Sequence, residues 1–366
     1  MTHKTLIGWI VALAVIASLP LLPEPIGTPF HVELGSRIIV MAIFALSLQL
    51  LVGFTGLVSL GHAAFFACAA YTVSVLSPQS GPASGWWMLP AAMGASALLA
   101  LAIGLLVLRT KGIYFIMVTL AFAQLVYFVL HDIPFFGGSD GTYIYFRPEF
   151  TIAGRPLLDV QDNTQFYWFG VALLGLTVLA LSLVLRSRLG HALVGIKHNE
   201  QRMRAAGFRT ERYKLASFVI AGAFAGIAGF LYAAQFGYVN PELASWHQSG
   251  NALVMIILGG LGSLPGAVIG AISFVLLSEW FQALTKHWQL LLGGFIILVV
   301  ALMPNGLVGG ISGIRRARPR PSASGADAPG PGGTPPPRTQ ITTAARAEGR
   351  PIGAARPRNA TPEATP

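Results

Sequence analysis

Apolar residues run along this chain in long stretches, at about 6–22, 38–53, 58–76, 86–108, 112–131, 166–186, 215–235, 251–282 and 288–303. A helix needs about 20 apolar residues to cross the hydrocarbon core, so most of these runs predict spanning helices. The first has Lys4 ahead of it, but Pro20, Leu21, Leu22 and Pro23 form no small-residue cleavage site, so it reads as a retained helix rather than a signal peptide. The 251–282 run is too long for one crossing. Its middle, Gly259-Gly260-Leu261-Gly262-Ser263-Leu264-Pro265-Gly266, predicts a break into two segments meeting at a turn. The expectation is an all-α, polytopic integral membrane protein of 8–10 transmembrane helices, best read as ten, with 58–76 or 251–263 open to a re-entrant reading.

Two loops orient the spans. Residues 186–214 hold eight Lys/Arg against Glu200 and Glu211. Residues 131–165 hold five acids, Asp132, Asp140, Glu149, Asp159 and Asp162, against Arg147 and Arg155. One helix separates these loops, and the Lys/Arg excess puts 187–214 in the cytoplasm and 131–165 outside. Counting from there places both termini in the cytoplasm. The expected organisation is a transmembrane domain over 1–312 and a tail over 313–366. That tail is rich in Pro, Gly, Ala, Ser, Thr and Arg and too poor in bulky apolar residues to order itself.

Composition agrees with a membrane chain. Hydrophobic residues make up 54 % and charged ones 10 %, too few ionic groups to cover a water-soluble body of this size. The net charge of +10 is no nucleic-acid signal, because nine Arg against three acids in the tail supply +6 of it. The single Cys68 excludes a disulfide framework and a multi-cysteine metal site, and no cofactor is expected. The nearest approach to a phosphate loop, Gly190 to Lys197, has Ile196 before the Lys and His198 where a Ser or Thr should bind magnesium, so no nucleotide-hydrolysis site is read. No catalytic residues are expected. The spans hold mainly neutral polar residues rather than the carboxylates that ion-coupled transporters carry, so energy for uphill transport comes from elsewhere.

Gly56-Leu57-Val58-Ser59-Leu60-Gly61-His62-Ala63 echoes Gly260-Leu261-Gly262-Ser263-Leu264-Pro265-Gly266-Ala267 at five of eight positions. Glycine-rich interruptions in matching places of two halves point to a transport path, and the competing reading is convergence on glycine-rich packing. Ser59, His62, Gln124 and Ser263 are the path candidates; for His62 and Gln124 the alternative is a bonded structural group. Gly222, Gly226 and Gly229, and likewise Gly266 and Gly270, have the small-xxx-small spacing of close helix packing. In the basic loop, Leu189, Ala192, Leu193 and Ile196 recur at helical spacing and Gly207 supplies a stop. This predicts an amphipathic helix over 189–207, either docking a cytoplasmic partner or lying on the inner leaflet.

These residues together resemble the permease subunits of branched-chain amino acid ABC importers, the Liv type, and the LivM-like branch in particular. The resemblance runs from about 36 to 310, through GFTGLVSLGHAAFFACAAYT (53–72), RTKGIYFIMVTLAFAQ (109–124), GGSDG (137–141), GHALVGIKHNEQRMRAAG (190–207), FVIAGAFAGIAGFLYA (218–233) and MIILGGLGSLPGAVIGA (255–271). It implies a channel-forming subunit of a bacterial inner-membrane importer, not an enzyme, that pairs with a second Liv-type permease, two ATP-binding subunits and an outer substrate-binding protein. Glu200, Ala205, Ala206 and Gly207 match the cytoplasmic coupling motif, while Lys197-His198-Asn199-Glu200 departs from its Arg-Glu-Asn-Glu form. Ser139, Asp140 and Gly141 become candidate contacts for the binding protein. Branched-chain or other hydrophobic amino acids are the implied substrates, with urea, amides or aromatic acids as alternatives within the family. A self-sufficient secondary transporter or channel, and a membrane-embedded enzyme or scaffold, are the readings outside it.

The topology is checked by thiol labelling. With Cys68 replaced by Ala, single cysteines at Thr142, Gln201 and Ser324 are exposed to an impermeant reagent on intact cells, and only the first should label. Labelling of position 201 from outside would overturn the assignment.

Overall fold

The computed structural model describes residues 29–78, 80–152, 155–158, 161–303 and 306–308, together with Ser18 and Pro20. The expected helix over 6–22 and the tail over 313–366 lie outside these residues. By contact the chain divides into units 1–317 and 318–366, and everything described falls in the first.

Eleven α-helices follow one another among the described residues. They are α1 (Pro29–Gln49), α2 (Ala63–Leu76), α3 (Gly85–Val107), α4 (Ile113–Asp132), α5 (Asn163–Arg186), α6 (Arg188–His198), α7 (Glu200–Ala205), α8 (Thr210–Phe236), α9 (Trp246–Gly259), α10 (Leu264–Leu284) and α11 (Trp288–Leu302). Helix α1 widens at its end into a π-turn, Leu50–Thr55. Seven of these helices are long and apolar enough to cross a membrane: α1 with its π-turn, α3, α4, α5, α8, α10 and α11. The chain is an all-α, polytopic membrane protein.

Helix α1 is the axis of the bundle. Its most apolar stretch is 89 % buried, against 28 % for α4 and 12 % for α11. An apolar helix buried all round belongs to a core, whereas α4 and α11 leave apolar sides such as Ile113, Met117 and Leu290 exposed, as lipid-facing helices do.

Helix α8 packs on α3 and α2 through its small residues. A side chain on Gly222 would strike Ala100, one on Gly226 would come within 2.9 Å of Met93 Cα, and one on Gly229 would strike the Phe66 carbonyl. The Ser96 hydroxyl sits where the three helices meet and donates toward Phe65 O (2.9 Å) and Gly222 O (2.7 Å). Gly266 and Gly270 do the same for α9 and α10: side chains there would run into the Ser263 hydroxyl and the Met255 carbonyl. Helices in lipid have no water to expel from between them, so close backbone approach of this kind is what holds them together.

Both short helices have 14 residues, about 21 Å at 1.5 Å per residue, less than the roughly 30 Å hydrocarbon core. Each is reached by chain outside the α-helices, 56–62 before α2 and 237–245, with a short 3-10 turn at Pro241–Ala244, before α9. The long apolar run is broken where its glycines lie, between Gly259 and Leu264.

One end of the bundle carries α6 and α7 and is rich in Lys and Arg. The opposite end carries a loop over 133–162. There β1 (Thr142–Tyr143) pairs antiparallel with β4 (Tyr238–Val239), and β2 (Phe150–Ile152) pairs with β3 (Arg155–Leu158). Arg147 fastens this loop to the end of α8, donating to Ala234 O at 3.0 Å and lying 4.9 Å from the Phe166 ring centre.

The glycine contacts generate a paired prediction. Gly226→Ala forces backbone apart and should destabilise the detergent-solubilised chain by about 1–3 kcal/mol. Gly94→Ala, in α3 with no atom within 4 Å of the added carbon, should leave thermal unfolding unchanged or raise stability by up to about 1 kcal/mol. Equal effects at both sites would remove the close-packing account.

Candidate functional site

Two polar residues in the last turn of α1 hold both interruptions of the fold. Ser47 Oγ lies 2.8 Å from His62 Nε2, at the start of α2. Gln49 Nε2 donates to Gly260 O (3.2 Å) and Ser263 O (3.0 Å), in the break between α9 and α10. A buried amide inside an apolar helix must find partners in protein, and the backbone freed by the 260–263 break supplies them. The two interruptions are also joined directly, since the Ala63 amide donates to Ser249 Oγ (2.9 Å), setting the start of α2 against the first turn of α9.

The two echoing octapeptides occupy corresponding places. Each begins with a glycine in a left-handed or related conformation, Gly56 at φ 78° and Gly260 at φ 117°. In each the serine accepts a backbone amide ahead of a helix: Ser59 Oγ from Gly61 N (3.2 Å) and Ser263 Oγ from Gly266 N (3.1 Å). Gly53 and Gly262 bring the two segments together, because a side chain on Gly53 would sit 3.0 Å from the Gly262 amide nitrogen.

His62 is fully buried, stacked on Phe44 (ring centres 5.5 Å) and edge-on to Phe65. Its Nδ1 and the Gln49 Oε1 have no partner among the described residues. Ser59, His62 and Ser263 thus lie in one polar seam with Ser47, Gln49 and Ser249. Gln124 is not brought into it: it is half-buried on α4, and its side chain makes no hydrogen bond among the described residues. Ser47, Gln49 and Ser249 were not singled out as site residues by sequence; a lone Gln inside a 27-residue apolar helix was the available signal.

At the basic end a cavity of about 560 Å³ opens between the α1 π-turn, the start of α4 and α6. Lys111, Lys197 and Lys214 line it. The 56–62 segment is fastened to α4 where Leu60 N donates to Thr119 Oγ1 (3.3 Å).

The single helix expected over 189–207 is two. Asn199 is extended (φ −159°), caps α7 by accepting the Arg202 amide on its side chain (2.9 Å), and so breaks the helix in the middle. The apolar stripe also goes elsewhere than expected. Ala192, Leu193 and Ile196 are buried within the chain's own bundle, leaving basic and polar residues such as Arg188, Arg202 and Arg209 outward. Most of the apolar stripe is thus covered within the bundle, while Val194 and the following Phe208 stay exposed.

Glu200 is turned inward. Its carboxylate takes Lys214 Nζ (2.7 Å) on one oxygen and Arg204 (2.8 Å) and the Thr210 hydroxyl (3.1 Å) on the other, tying α7 to the start of α8. Burial raises its pKa, but Lys214, Thr210 and Arg204 together outweigh that, and the net direction is below the ordinary value. Ala205, Ala206 and Gly207 are exposed. Gly207 takes φ 86°, faces open space within the chain, and borders a cleft of about 590 Å³ with Leu189, Phe208 and Tyr213. At the opposite end Ser139 and Asp140 are exposed, the Asp140 carbonyl accepts the Tyr238 hydroxyl (2.8 Å), and Gly141 packs on the Val239 carbonyl.

The family model described as "Branched-chain amino acid transport system / permease component" matches residues 32–301. The high-affinity branched-chain amino acid transport system permease protein LivM of Salmonella typhimurium (strain LT2) is 31 % identical over 324 residues, covering 82 % of this chain and 74 % of that protein. LivM of Escherichia coli (strain K12) is also 31 % identical, over 76 % of this chain and 69 % of that protein. The permease protein LivH of the same strain is 31 % identical over 137 residues, covering 37 % of this chain and 44 % of that protein. No solved structure matches this chain. The chain belongs to the branched-chain amino acid transport permease family and is LivM-like.

The Glu200 cluster generates a stability prediction. Partly exposed ion pairs contribute about 0.2–1 kcal/mol each, so Glu200→Ala should loosen α7 by about 1 kcal/mol, roughly a fivefold rise in amide exchange over 200–206. A carboxyl held below its ordinary pKa keeps its stabilising effect above the unfolded value of about 4.3 and loses it as pH falls through the folded value. Protection of α7, corrected for intrinsic exchange, should therefore stay flat from about pH 8 to 5. Loss of protection near pH 6 would contradict the network.

Proposed function

We propose that this LivM-like permease is the membrane-spanning subunit of an ATP-driven importer in a bacterial inner membrane. In this reading it forms part of the translocation path for branched-chain or other hydrophobic amino acids. Hydrolysis resides on two separate ATP-binding subunits. A second Liv-type permease completes the membrane unit, and a substrate-binding protein delivers cargo at the end carrying Ser139, Asp140 and Gly141.

The observation that carries the reading is the α6–α7 element. It is fixed on its inner side by buried Ala192, Leu193 and Ile196 and by the Glu200 cluster, and it turns a basic outer side and the Ala205-Ala206-Gly207 corner outward. A part that must pass on a push needs a firm inner attachment and an open outer face. Glu200 serves here by positioning the element, while the exposed corner and the cleft beside Gly207 receive the ATP-binding subunit.

The seam of Ser59, His62, Ser263 and their partners gives a zwitterion donors and acceptors along an otherwise apolar route, and half-helix ends beside it add backbone dipoles. The division into a membrane domain over 1–312 and a separate tail over 313–366 is part of the same proposal, as is a cytoplasmic location for the basic end.

The test is purification in mild detergent followed by reconstitution. An ATP-binding protein should co-purify, and uptake of leucine should require ATP on the basic side. Uptake by the purified chain alone would favour a secondary transporter. Gly207→Asp should abolish ATPase stimulation by loaded binding protein while leaving membrane insertion and permease pairing intact. The substitution meets nothing within the chain and adds only roughly 1 kcal/mol of backbone strain. Normal stimulation in that variant would remove this corner from the interface.

A further inference from the structure

The π-turn at the end of α1 is gripped from a segment 144 residues away. Lys197 Nζ, on α6, donates to Gly53 O at 2.6 Å. Its stem packs on Gly56, where an added side chain would come within 3.2 Å of Lys197 Cγ. The carbonyls at a helix end have no partners within the helix and carry partial negative charge, so an ammonium is a fitting cap. The far side of the same turn bears on the 260–263 break. A side chain on Gly53 would meet Gln49 at 2.8 Å and the Gly262 amide at 3.0 Å, and Gln49 holds Gly260 O and Ser263 O. π-Turns are rare and recur at functional positions.

We infer that Lys197, the 50–55 π-turn and Gln49 form a mechanical link that carries displacement of α6 to the α9–α10 break. Lys197 and Gln49 are positioning residues in it, touching neither ATP nor cargo. The inference rests on the proposed ATP-driven reading, because the displacement has to be driven from α6. It adds to that reading a route inside this subunit. The route starts on the inner side of α6, passes through one carbonyl and one amide side chain, and ends at Leu261, which is exposed.

The test uses the complex isolated with its co-purifying ATPase, with Cys68→Ala and Leu261→Cys, and ATP with vanadate as the probe. Thiol labelling at position 261 should change between the nucleotide-free and vanadate-trapped states by at least about fivefold, and by less than about twofold in Lys197→Met or Gln49→Leu. Lys197→Arg, which keeps a cationic donor, should restore the change. The ATPase should still co-purify with Gln49→Leu, which lies away from the exposed corner. Residues in one link are non-additive, so the double variant should match the single ones. A full labelling change in either single variant would overturn the link, as would no change in the parent complex with its ATPase bound. A parent chain that brings down no ATPase would instead overturn the proposed function and the link with it.

Discussion

Backbone that leaves a helix inside an apolar bundle has to find its hydrogen-bond partners in protein. This chain leaves the helix twice near the basic end, at 56–62 and at 260–263, and both departures are held by Ser47 and Gln49 on α1. The burial of α1, the close glycine contacts around it and the meeting of α2 with α9 serve that arrangement. Were Gln49 apolar, Gly260 O would keep only the Ser263 hydroxyl (3.3 Å) and Ser263 O only the Ala267 amide (3.3 Å), so each would lose one of its two donors.

The apolar runs located the long helices, because length and hydropathy alone decide which segments can span. They also located the break at 259–264, because three glycines and a proline cannot continue a helix. What they left out is who satisfies the break. Gln49 lies more than two hundred residues from Gly260, and nothing local couples an amide to a distant carbonyl. The 189–207 segment shows a different limit. Its spacing of Leu189, Ala192, Leu193 and Ile196 was real, but spacing cannot say whether an apolar side meets a partner, a lipid or the chain's own bundle. Here it meets the bundle. The division at Asn199 follows from capping: its side chain accepts the Arg202 amide, and Asn competes well for that position.

Membership of the permease family and the path candidates were legible to different depths for a related reason. The family is carried by many short stretches in a fixed order, which tolerate individual departures. A path depends on which side chains face one another. His62 and Ser263 join the polar seam, whereas Gln124 stays on a peripheral helix with no side-chain partner among the described residues, although all three looked alike as polar residues in apolar runs. Glu200 could be placed in the motif by sequence, but its ties to Lys214 and Thr210 at the start of α8 are visible only in the fold.

The sequence separation between Gln49 and Ser263, 214 residues, has a consequence for how the protein is made. At about 5–20 residues per second of synthesis, roughly 10–40 s pass between the emergence of α1 and that of its partner segment. During that interval the Gln49 amide is already at membrane depth and its eventual acceptors do not yet exist. Nascent α1 is therefore poorly suited to free lipid until the 260–263 segment has been synthesised. Its residence must be shared with water near the interface or with an insertion machinery that shelters polar groups. Biogenesis of this subunit is thus set by the arrival of a single late turn.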